Sequence, residues 1–85
     1  MTADEVTRLI EAGLPAARVR VLTDDDTHFE AVVIDPQFDG KRSLQRHQLV
    51  YSALGARMGR EIHALSIQAW TPAEWQAADG GQGPG

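Results

Sequence analysis

The sequence contains no cysteine, so it can build neither a disulfide framework nor, by itself, a zinc–thiolate or iron–sulfur centre. Aromatic residues make up only 6% of the chain, which leaves the core to Val, Leu, Ile and Ala. The longest apolar run, Ala31 to Ile34, falls far short of the roughly 20 residues that cross a bilayer. No apolar stretch follows the opening Met1-Thr2-Ala3-Asp4-Glu5, where acidic residues stand in place of the basic ones of a secretory signal. A reducing cytoplasm without membrane attachment is therefore the expected setting. Positive charge is scarce too: the net charge is −4 and the sequence pI is near 5.1. That balance argues against a free nucleic-acid binder, whose affinity comes largely from neutralising phosphates, while leaving room for a local basic patch.

What is present is enough for one compact domain, since 85 residues bury a single modest core and leave little interior for a deep catalytic cleft. Thr2-Ala3-Asp4-Glu5 reads as a capping box ahead of Val6, Leu9, Ile10 and Leu14, which predicts an amphipathic helix over residues 3–12 stopped at Gly13. Arg18 to Leu22 alternates polar and apolar residues, and His28 to Ile34 is β-rich, with Phe29, Ala31 and Val33 on one face. The polar Thr23-Asp24-Asp25-Asp26-Thr27 between them suits a hairpin, and Asp35-Pro36 ends the second strand.

Ser43 is positioned to cap a second helix, in which His47, Val50, Tyr51, Leu54 and Met58 share one face. Gly55 and Gly59 interrupt its end. A third strand is predicted from Ile62 to Trp70, followed by Thr71-Pro72-Ala73-Glu74, a second capping signal with proline at the first helical position. The expected order is α-β-β-α-(α)-β-α. This is an α+β two-layer sandwich in which helices pack on one face of a three-stranded mixed sheet. The domain is expected over residues 1–78, and the glycine-rich 79–85 is expected to be a disordered tail.

Four blocks carry a more specific message: Thr27-His28-Phe29 with Phe38-Asp39-Gly40, Gln45 to Tyr51, Ile62-His63-Ala64-Leu65-Ser66-Ile67, and Thr71-Pro72-Ala73-Glu74-Trp75. In this order and spacing the chain resembles the BolA family, most closely its acidic IbaG-like branch. The resemblance implies a fold similar to the type II KH domain. It also implies a partner, because BolA-like proteins bind monothiol glutaredoxins and can share a [2Fe–2S] cluster with them. In such a heterodimer the glutaredoxin cysteine and glutathione supply thiolates, and the BolA protein supplies a histidine and a more variable loop ligand. Other members are linked to DNA binding, transcription control and stress response. The implied role is a non-enzymatic adaptor in iron–sulfur trafficking or iron regulation, the isolated chain being a monomer or weak homodimer.

His63 matches the family's histidine, and a neutral imidazole is a competent iron ligand. Spacing alone would make it an ordinary strand histidine. The second ligand is open between His28, one of the aspartates 24–26, and none, because family members place a loop cysteine or histidine nearer Asp25. His47 reads as a packed histidine. Lys41, Arg42 and Arg46 form a basic cluster suited to phosphates or to an acidic partner surface. However, Gly40-Lys41-Arg42-Ser43 has only the first glycine of the Gly-x-x-Gly loop by which KH domains approach nucleic acid. No nucleophile–base arrangement or phosphate-binding glycine loop is visible, so no enzymatic activity is expected. Trp70 and Trp75 read as packing anchors.

Overall fold

The computed structural model describes residues 1–60, 62 and 64–79. The elements are α1 (Ala3–Gly13), β1 (Arg18–Thr23), β2 (His28–Ile34), a 3-10 turn (Pro36–Phe38), α2 (Ser43–Leu54), a second 3-10 turn (Gly55–Arg57), β3 (Ala64–Trp70) and α3 (Pro72–Asp79). The sheet order is β1-β2-β3, with β1 antiparallel and β3 parallel to the central strand. This is the expected α+β architecture with a mixed sheet. No helix among the described residues is long and apolar enough to cross a membrane.

Local chemistry explains the helix starts. The Thr2 hydroxyl accepts the Glu5 N–H at 3.2 Å while the Glu5 carboxylate accepts the Thr2 N–H at 3.1 Å, which pairs two otherwise orphaned donors. Thr71 and Glu74 repeat the exchange at α3, at 3.1 and 2.9 Å. At α2 the expected Ser43 cap does not form. Ser43 is already helical, Arg42 occupies the capping position, and the Gln45 side-chain oxygen accepts the Arg42 N–H at 3.1 Å.

Strand alternation sorts the sheet into two faces. Val21, Phe29, Ala31 and Val33 are buried beneath Val6, Ile10 and Leu14 from α1 and its C-terminal turn, and Val50 and Leu54 from α2. Phe38 and Ile62 complete this core, and Leu65, Ile67 and Ala69 pack against it. The opposite face carries Arg20 and Leu22, then His28 and Glu30, then Ala64, Ser66 and Gln68, all exposed. At its far end Ile34 is buried beside its register partner Trp70. The Trp70 ring meets Trp75 of α3 edge-on, with centroids 5.4 Å apart.

Several expectations are corrected. Among the described residues β3 runs Ala64–Trp70, and Ile62, expected at its start, instead bridges to Met58 and is hydrogen-bonded back to Arg57 and Gly59, with its side chain in the core. α2 ends at Leu54, where Gly55 takes φ +59°. Met58 is therefore not on that helix, and Tyr51 is exposed, so the buried line reduces to Val50 and Leu54. Gly13 is the last residue of α1 rather than a stop beyond it. Its role is close approach, since a Cβ there would lie 2.5 Å from the Ala53 Cβ of α2. Asp79 belongs to α3 rather than to the tail. Residues 80–85, the remainder of the expected tail, lie outside the described residues.

Candidate functional site

The hairpin between β1 and β2 builds a hydrogen-bonded constellation from its own side chains. Asp25 Oδ1 accepts the backbone N–H groups of Thr27 and His28 at 3.0 and 2.9 Å, and its Oδ2 meets His28 Nδ1 at 2.8 Å. The Thr23 hydroxyl donates to the His28 carbonyl at 2.7 Å and accepts the Asp26 N–H at 3.0 Å. Asp26 sits at φ +57°, in the left-handed region that aspartate tolerates better than most residues. These bonds hold the Asp25 carboxyl well below the usual range, chiefly through the His28 N–H, then its ring and the Thr27 N–H.

An ionised carboxylate only accepts, so a neutral His28 ring bonded to it carries its proton on Nδ1 and keeps the lone pair on Nε2. A carboxylate behind a histidine in this way is the arrangement that orients metal-binding imidazoles. The ring is largely exposed. It borders an open cavity of about 490 Å³ with Leu22, Asp24, Glu30, Ala64 and Ser66. The small Ala64 and Ser66 side chains make that end of the open sheet face concave.

His28 pairs in register with Ala64, the residue that follows His63 in the sequence. His63 itself lies outside the described residues. Among the described residues, no three His, Cys, Asp or Glu side chains gather as a complete metal site. Without cysteine the chain can offer a metal only imidazole nitrogen and carboxylate oxygen. Of the alternative loop ligands, Asp25 has both oxygens engaged, while Asp24 borders the cavity. His47 is half-buried in a different depression, between α2 and β3.

The basic cluster is divided by the fold. Lys41 and Arg42 remain at the start of α2, half-buried and exposed. Arg46 is instead tied into the structure. Its Nε donates to the Lys41 carbonyl at 2.8 Å, Nη1 to the Ala69 carbonyl at 3.1 Å, and Nη1 and Nη2 to Glu74 at 2.6 and 3.0 Å. With its side chain only 12% exposed, Arg46 is a structural tie and not a ligand-facing cation. Glu74 is 28 residues away, so nothing local in the sequence announces the pair. The Asp25–His28 pair did carry a local signal, an aspartate two and three residues ahead of the amides it caps.

Comparison with known proteins adds to this geometry. The BolA-like protein family profile matches residues 11–74. Human BolA-like protein 1 is 49% identical over 51 residues, which is 60% of this chain and 37% of that protein. The DNA-binding transcriptional regulator BolA of Escherichia coli is 34% identical over 59 residues, 69% of this chain and 56% of that one. This chain thus spans well under two thirds of the length of these curated relatives. Among solved structures, a bolA protein homologue from Coxiella burnetii superimposes with a TM-score of 0.81 at 45% identity, covering 89% of this chain and 97% of its own.

Proposed function

This chain belongs to the BolA family, and on that premise we propose that it is a non-enzymatic adaptor that docks on a monothiol glutaredoxin and shares a [2Fe–2S] cluster with it. The observation that carries the reading is the Asp25–His28 pair, with Nδ1 bound at 2.8 Å and Nε2 left as a nitrogen donor at the rim of an open cavity. His63 enters through the resemblance as the principal ligand, with His28 as the second. When bound, the cluster supplies one-electron chemistry and exchangeable iron and sulfide. This chain contributes imidazole donors, an acidic hairpin that fixes one of them, and a concave sheet face for the partner. Since it has no thiolate, the partner's cysteine and glutathione are chemically required.

The purified chain, given iron and sulfide, is expected to stay colourless. Mixed with a monothiol glutaredoxin and glutathione, it should yield a cluster whose visible circular dichroism differs from that of the glutaredoxin homodimer. His63→Ala should weaken that difference, and an unchanged spectrum would sink the ligand assignment. A second reading, DNA-binding regulation, is supported by the name of the Escherichia coli relative and by Lys41 and Arg42 at the start of α2. It is the weaker one, because Arg46 is engaged elsewhere and the chain is net acidic. It requires salt-dependent DNA binding that is lost in Lys41→Ala/Arg42→Ala.

A further inference from the structure

The outer edge of β3 is unpaired among the described residues, and its direction can be read from two hydrogen bonds. The Trp70 carbonyl accepts the Asp35 N–H at 3.0 Å, so Trp70 faces β2. Main-chain groups alternate sides along a strand, which turns those of Leu65, Ile67 and Ala69 outward. The Ala69 carbonyl is met there by Arg46 at 3.1 Å. Arg46 therefore stops the edge at one end and leaves the N–H and C=O groups of Leu65 and Ile67 without a partner among the described residues.

The edge faces a depression of about 390 Å³ between β3 and α2, bordered by Ser43, His47, Ile67 and Trp70. Leu44 and Tyr51, exposed at 69% and 40%, lie with His47 along one side of α2. Lys41 and Arg42 stand at the start of that helix.

We propose that this groove takes an extended, acidic-tipped peptide segment of a partner protein, added as a fourth strand along Leu65 and Ile67. An extended chain supplies main-chain donors and acceptors at the spacing of the open groups, while alternate side chains reach Leu44 and Tyr51. The two cations left free of the Arg46–Glu74 tie favour an acidic residue beside them. A nucleic acid fits less well, because its backbone carries no N–H donors to pair with the carbonyls of an open strand edge, whereas an extended peptide offers both donors and acceptors. This site is separate from the His28 cavity and does not depend on the adaptor reading.

The test is amide-resolved NMR and hydrogen exchange on the full chain. The probe is an acetylated heptapeptide with two leading aspartates followed by alternating threonine and valine. The expected result is shifts at Leu65, Ile67 and the start of α2, with exchange of the Leu65 and Ile67 amides slowed by about tenfold. A peptide with central proline should lose both effects, and Lys41→Glu/Arg42→Glu should abolish the preference over a lysine-tipped version. Four results would overturn the proposal: unperturbed Leu65 and Ile67 amides, equal binding of the lysine-tipped peptide, displacement of the aspartate peptide by short oligothymidylate, or dilution-dependent shifts of the same amides in the protein alone, which would assign the edge to a second copy.

Discussion

Arg46 and Glu74 join α2 to α3 through a forked pair of contacts, 2.6 and 3.0 Å long, beside the main-chain carbonyls that Arg46 also binds. Removing the guanidinium leaves the Lys41 and Ala69 carbonyls and the Glu74 carboxylate without this donor. Arg46→Ala should therefore destabilise the fold by about 2–3 kcal/mol and lower Tm by roughly 10 °C. Glu74 is 46% exposed, so its share is small: Glu74→Gln, which keeps the helix cap, should cost less than about 1 kcal/mol. Urea denaturation of both variants and of the double mutant measures the coupling.

The same pair makes stability pH-dependent. The bond from Arg46, then that from the Thr71 N–H, lowers the Glu74 pKa from 4.5 to about 2. As pH falls, the unfolded chain takes up this proton first. The stabilisation is thus fully present above 4.5 and is lost as pH falls through about 2. Asp25, also held below its ordinary 3.8, acts in the same direction. The urea midpoint should decline steadily over this acid window, and more shallowly in Glu74→Gln.

Legibility in the sequence followed the range of the interactions. The Thr2–Glu5 and Thr71–Glu74 caps and the alternation of Phe29, Ala31 and Val33 are set within four residues of chain, and each is readable. Gly55 reads as one of two glycines interrupting a helix that still carries Met58, whereas its φ of +59° ends that helix at Leu54. Ser43 misled because Gln45 supplied the acceptor instead. Ile62 read as a strand residue because alternation continues through it, whereas its backbone bonds to Arg57 and Gly59 decide its direction. The commitment of Arg46 to Glu74 depends on how α3 docks, and a basic cluster in sequence cannot reveal which of its members is already neutralised. His63, the residue on which the resemblance bears most, lies outside the described residues, so its expected role rests on sequence.

Gly13 tests the packing of α1 on α2. A methyl group there would come within 2.5 Å of the Ala53 Cβ and 3.0 Å of its Cα, closer than carbon atoms approach. Gly13→Ala should gain about 1 kcal/mol in helix propensity and lose more through overpacking, for a net cost of about 1–2 kcal/mol. Ala53→Gly in the same chain should restore most of it. A Gly13→Ala protein as stable as the parent would show that the helices can separate without loss.

Asp25 tests whether the hairpin presets His28. With Asp25 Oδ2 accepting from Nδ1, the neutral ring is held as the Nδ1–H tautomer, and its two nitrogens should give well-separated signals in ¹⁵N-detected histidine spectra at pH 8. Asp25→Ala removes that acceptor and the cap on the Thr27 and His28 amides. The ring should then move toward the Nε2–H form, and those amides should exchange faster with solvent. Asp25→Asn is the sharper variant. Its side-chain oxygen can still cap the two amides, but its amide nitrogen cannot accept from Nδ1. It should therefore preserve hairpin protection while shifting the tautomer. If the hairpin presets the ligand, Asp25→Asn should also weaken the effect of this chain on the circular dichroism of a glutaredoxin-bound cluster, leaving the fold intact. A tautomer unchanged in Asp25→Asn would show that the carboxylate does not control the ring.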